Sequence, residues 1–137
     1  MAIRTSVEFE SHLFPAYQGE ESQVNPGLWG KRLAEYLVSH LQDAGMQTGT
    51  PYAEDWGWAI PIPHPNVSLW IGCGHCSETQ DQYRVFVEPH KLVYRSLRHF
   101  FKKVDATQEV MRLVKVLERI LANDSKIKNI RWVMCEN

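Results

Sequence analysis

Hydrophobic and polar positions alternate from the start of the chain. Ile3, Val7 and Phe9 are set among polar neighbours, and the period of two predicts a strand over residues 3–10. Between Pro15 and Gly27 the periodicity lapses into Pro, Gly, Asn and the pair Glu20–Glu21, the composition of a loop. Trp29, Leu33, Tyr36, Leu37, His40, Leu41 and Ala44 then recur at spacings of three and four, one apolar face of a helix. Asn25 is its expected cap, Pro26 its first residue and Gly45 its stop.

From residue 46 to 89 the period returns to two. Trp56, Trp58, Ile60 and Ile62 form one run, whose Pro61 and Pro63 confine its end to a sheet edge. Val67, Leu69 and Ile71 form a second, with Trp70 on the reverse. Tyr83, Val85 and Val87 form a third, opposite Phe86 and stopped by Pro89. Turns rich in Pro, Asn and Gly join these runs into an antiparallel meander. Residues 92–104 fit a helix with Val93, Leu97, Phe100, Phe101 and Val104 on one side and Lys91, Arg95, Arg98 and Lys102 on another. Asp105 or Thr107 should cap a further helix through Ala122, whose stripe is Val110, Leu113, Val114, Leu117, Ile120 and Leu121. Ile130, Trp132 and Met134 close the chain as a strand. The order β-α-β-β-β-β-α-α-β predicts an α+β fold: a mainly antiparallel sheet of five to six strands with two to three helices packed on one face.

The 137 residues suit one domain spanning 1–137, and 44% hydrophobic with 23% charged residues supplies a core without disulfides or a structural metal. No window approaches the roughly 20 apolar residues that cross a bilayer, and the first ten lack a secretory apolar stretch. Three cysteines cannot all pair, which points to the cytoplasm. The net charge of −1 hides an asymmetry: residues 1–60 carry −5 and the remainder +4. Such a dipole can orient a partner, but it is too weak for nucleic acid to be expected as one.

Four segments could carry chemistry. Cys73-Gly74-His75-Cys76 is identical to the active-site tetrapeptide of protein disulfide isomerases. A thiol–disulfide enzyme would use Cys73 as nucleophile, Cys76 as resolving thiol and His75 to stabilise the thiolate. The polar residues that follow are too few for the long helix of that fold, which favours a plain turn between strands. A thiolate metal site could add His75, His64, His90 or Cys135, but no second paired ligand set is present, so no metal or other cofactor is expected. Glu54-Asp55-Trp56-Gly57-Trp58 sets carboxylates beside indoles, a combination that can bind a cation or a sugar or act as an acid/base pair. Against that, neighbouring strand residues point to opposite faces. The loop from His12 to Trp29 exposes Tyr17, Glu20 and Glu21, which suits a basic partner surface. The basic stripe over 91–103 fits anionic lipid, RNA or an acidic protein, or a helix that docks by its aromatic side and leaves its cations in water.

Gly30–Leu37, Pro51-Tyr52-Ala53-Glu54-Asp55-Trp56-Gly57-Trp58 and Leu69–Gly74 resemble segments of a family of small uncharacterised bacterial proteins. That resemblance implies a bacterial cytosolic origin and carries over no functional residue. In type, a small domain with a tryptophan-rich sheet and acidic loops is also similar to the immunity proteins of toxin systems. The expected function is therefore a macromolecule-binding protein without catalytic activity. Tyr17, Glu20, Glu21, Glu54 and Asp55 would form a charged face and Trp56 and Trp58 its anchors. The partner would be another protein, a second copy of the chain included. A small-molecule site between sheet and helices is the remaining alternative.

Overall fold

The computed structural model describes residues 3–76 and 79–135. Its main sheet has six strands: β1 (Ser6–Ser11), β2 (Tyr52–Glu54), β3 (Gly57–Ile62), β4 (Leu69–His75), β5 (Gln82–Glu88) and β8 (Ile127–Val133), in the spatial order β2-β3-β4-β5-β1-β8 with every pairing antiparallel. Period-two alternation sorts the side chains. Val7, Phe9, Trp58, Ile60, Ile71, Cys73, Tyr83, Val85 and Val87 are buried on the inner face. Gly72, Phe86 and Ser6 stand in register on the outer one, as do Gly74, Arg84 and Glu8.

Both helices cover the inner face. α1 (Lys31–Asp43) brings Leu33, Ala34, Leu37 and Leu41 over β3 and β4, and α2 (Thr107–Ala122) brings Val110, Leu113, Val114, Leu117 and Leu121 over β5 and β8. The α+β architecture with helices on one face is the one the hydrophobic pattern predicts. No helix among the described residues is long and apolar enough to cross a membrane.

Two local features differ from the sequence reading, and a third decides between the two caps it named. First, residues 92–104 are not a helix. They form a hairpin of β6 (Val93–Ser96) and β7 (Lys102–Asp105) around a short 3-10 turn at Leu97–His99, with Tyr94 opposite Val104 and Arg95 opposite Lys103. A helix there would need a core surface for its apolar stripe, but α1 and α2 already fill the inner face. The β-branched and aromatic residues pair with one another instead. Second, α1 starts at Lys31 rather than after Asn25, because Gly27 adopts a left-handed conformation (φ 80°) and Asn25 N–H is held by the Asp55 carbonyl at 3.0 Å. Third, α2 is capped from one residue further out than its N-cap: Asp105 Oδ1 accepts from Thr107 N–H at 3.0 Å and Thr107 Oγ1 at 2.6 Å, which holds its carboxyl below the usual range.

The sheet edges are short or broken. β2 pairs with β3 only from Ala59 back to Gly57, so Pro61 lies beyond its reach, as a proline requires. At the other edge the β1–β8 register shifts between Glu8 and Glu10, where Asn129 takes φ 55° and bulges the strand.

Candidate functional site

The acidic loop does not present its first carboxylate to solvent. Glu20 is 1% exposed, making it one of the few buried charged side chains described. Its Oε2 accepts hydrogen bonds from Gly30 N–H (2.8 Å), Lys31 N–H (2.9 Å) and Trp58 Nε1 (3.0 Å), and its Oε1 from Tyr17 N–H (2.9 Å). Burying a carboxylate is costly unless its lone pairs are filled, and here four donors fill them. Two belong to the N-terminus of α1, whose unpaired N–H groups and dipole favour an anion. The close fit needs Gly30, because a Cβ there would lie 2.6 Å from the Cys73 carbonyl oxygen.

Glu20 and Trp58 thus bond to each other inside the protein, which removes both from the expected docking face. Tyr17 stays near the surface, bonded through its hydroxyl to Glu35 and faced by Arg32 at 3.9 Å and Lys31 at 5.5 Å from its ring centre. The bond to Glu35 raises the Tyr17 pKa above the ordinary phenol value. Glu21, Glu54 and Asp55 are exposed and Trp56 is half-buried, so with Tyr17 five of the seven named residues remain accessible, without Glu20 or a second indole anchor.

The Cys-Gly-His-Cys segment is not a turn: Cys73, Gly74 and His75 finish β4, while the Ser77 and Glu78 that follow lie outside the described residues. Cys73 is enclosed in the core, and burial pushes its thiol pKa up, opposite to the shift a nucleophilic cysteine needs. No disulfide joins it to Cys76. His75 is also buried. Its ring stacks on Trp29 at 3.5 Å between centres, Nδ1 lies 3.3 Å from the Gly27 carbonyl, and Nε2 has no hydrogen-bond partner among the described residues.

Beside this strand end, the outer face of the sheet holds a cavity of about 400 Å³ lined by Leu28, Trp56, His75, Cys76, Arg84, Phe86, Glu88 and Cys135. Trp56, Trp70 and Phe86 pack against one another there, 5.2 to 6.0 Å between ring centres. Phe86 lies flat over Gly72, where a Cβ would come within 2.2 Å of its ring. At the end of β5, His90 Nδ1 is 2.7 and 2.9 Å from the Glu88 carboxylate oxygens, and His90 N–H also donates to Glu88 at 3.0 Å.

The hairpin is the other distinctive surface. Leu97 is 74% exposed, Phe100 88% and Phe101 61%, with Val93 also exposed; these are four of the six large apolar side chains left in solvent among the described residues. Phe100 and Phe101 both adopt left-handed backbone conformations (φ 57° and 61°), uncommon for bulky residues. Phe101 N–H bonds to the Ser96 carbonyl at 2.7 Å, and Arg95 Nη1 donates to the Phe101 carbonyl at 3.2 Å. From Lys91 to Val104 there are five Lys and Arg and no acid. The sequence shows this basic-aromatic composition plainly; its misreading as a helix hid the exposure of the rings.

The chain matches no protein-family model, no curated protein and no solved structure.

Proposed function

We propose that this chain is a non-catalytic binding module that docks on another protein through the tip of the β6–β7 hairpin. The observation that carries the reading is the cluster of Leu97, Phe100 and Phe101 held in solvent among Arg95, Arg98, Lys102 and Lys103. An apolar cluster rimmed by charge marks an interaction surface, and the aromatic–arginine combination is that of interface hot spots. The bonds from Phe101 to Ser96 and Arg95 pre-form the tip, lowering the ordering cost of binding a partner of fixed shape. The partner's site is an apolar groove with an acidic rim.

The test uses the wild-type chain, Phe100→Ser/Phe101→Ser and Arg98→Glu/Lys102→Glu as parallel baits on extract of the source cells, with sedimentation on phosphatidylserine vesicles alongside. A partner held by the wild type, released by rising salt and lost from both variants is expected. Loss of one ring corresponds to about 2 kcal/mol, or roughly thirtyfold in affinity. Identical captures from all three baits would overturn the reading, as would vesicle binding with no protein retained.

A further inference from the structure

A different part of the molecule gathers three side chains of metal-ligating type. β5 and β8 flank β1 on either side, and Phe86 and Val133 both stand in register with Ser6. Two residues further along each strand direction are Glu88 and Cys135, so the topology brings the carboxylate and the thiol together past the start of β1, with His90 two residues beyond Glu88. One donor atom from each of Glu88, His90 and Cys135 lies within 4.8 Å of the others, and all three residues are half-buried.

We infer that Glu88, His90 and Cys135 bind a divalent ion of the zinc class. A thiolate, an imidazole and a carboxylate form a borderline-soft donor set, which suits zinc and excludes the all-oxygen preference of calcium and magnesium. Zinc holds nitrogen and oxygen at about 2.0–2.2 Å and sulfur at about 2.3 Å, so the ligand atoms of a tetrahedral site lie roughly 3.3–3.7 Å apart. Glu88 and His90, hydrogen-bonded at 2.7 Å, open by roughly 0.6 Å as the ion takes the place of the shared proton, and Cys135, within 4.8 Å of them, closes by up to about 1 Å. The ring of His90 is already oriented by Glu88, and Cys135 gives up its proton when the ion binds. Three protein ligands leave one position of a tetrahedron open. Glu88 and Cys135 also line the aromatic cavity of the outer face, and His90 and Cys135 line a smaller neighbouring one, so that position is reachable by water or by a ligand donor. The site is independent of the hairpin tip.

Titration of the full, reduced chain with Co²⁺ followed by Zn²⁺ tests the assignment. One equivalent of Co²⁺ should give a thiolate-to-cobalt charge-transfer band together with the intense visible bands of tetrahedral coordination, and Zn²⁺ should bleach both. Cys135→Ser should abolish the charge-transfer band, His90→Ala should weaken Co²⁺ binding at least tenfold, and Cys76→Ser, which alters another thiol of the cavity, should leave the spectrum intact. Circular dichroism checks that each variant is folded, and His90→Ala keeps the test decisive if the Cys135 variant is not. Absence of the band in the wild type would overturn the site, as would its survival in Cys135→Ser, undiminished Co²⁺ binding by His90→Ala, or loss of the band in Cys76→Ser.

Discussion

The loop around Glu20 and the tip of the β6–β7 hairpin reverse the usual rule of burial in one small protein. A carboxylate is enclosed at 1% exposure, while two phenylalanines stand 88% and 61% exposed. The difference lies in what each segment finds to bond with. Glu20 meets four N–H donors, two at a helix terminus that would otherwise lack partners, so its desolvation is offset. Phe100 and Phe101 meet no free core surface, because α1 and α2 already cover the inner face, and both are left exposed on the hairpin turn. Partners decide burial here more than hydropathy does.

The strongest way to break this comparison is Glu20→Ala. It leaves the N–H groups of Gly30, Lys31 and Tyr17 and the indole of Trp58 without their acceptor, and it should cost about 3–5 kcal/mol in chemical denaturation. A loss below about 1 kcal/mol would mean the loop is not fastened through this carboxylate. The tip should respond with the opposite sign. Phe100→Asn/Phe101→Gly suits the left-handed backbone and should stabilise the fold by about 1–2 kcal/mol while abolishing partner capture. Destabilisation would show that the rings pack against the protein.

A smaller effect separates a buried carboxylate from a solvated one. Asp124 accepts from Lys126 N–H at 2.9 Å and Tyr36 hydroxyl at 2.8 Å, and the Lys126 bond, with help from Tyr36, holds its carboxyl below the usual range. A depressed folded-state pKa stabilises above the unfolded value of about 3.9 and loses that contribution as pH falls through the folded value. Asp124→Ala should therefore cost about 1 kcal/mol at neutral pH, kept small by solvent, and the ionisation-linked part of that gap should disappear in acid. A cost wholly insensitive to pH would assign it to packing alone. The least perturbing test is thiol labelling: Cys73 should react only on unfolding, well after Cys76 and Cys135. Rapid labelling of Cys73 in the folded protein would reopen the disulfide-exchange reading.

The elements legible in the sequence are those whose period repeats often enough to be unambiguous. The stripes of α1 and α2 run through 13 and 16 residues, and the alternation of β3, β4 and β5 through six or seven. In the hairpin, Val93, Leu97, Phe100 and Val104 fall at helical spacings by coincidence. The pairing of Tyr94 with Val104 that decides the matter is a contact between segments. Glu20 was legible as an acid and illegible as a cap, since its donors are spread from Tyr17 to Trp58. Trp56 was legible as an aromatic ring but not as buried or exposed, since its neighbours Trp70 and Phe86 come from other strands. The approach of Glu88, His90 and Cys135 depends on β8 lying beside β1, which element order does not reveal.

The unequal edges of the sheet bear on whether copies of the chain can join strand to strand. An uncovered strand is a template for another chain, and open sheets that lack protection stack into fibres. Here β2 is three residues long, Pro61 just past it offers no N–H, and the Asn129 bulge, with Lys128 and Arg131 alongside, disrupts the opposite border. Neither border can readily recruit a strand. The molecule can therefore carry sticky rings on a projecting tip with less risk that a chance encounter grows into an aggregate.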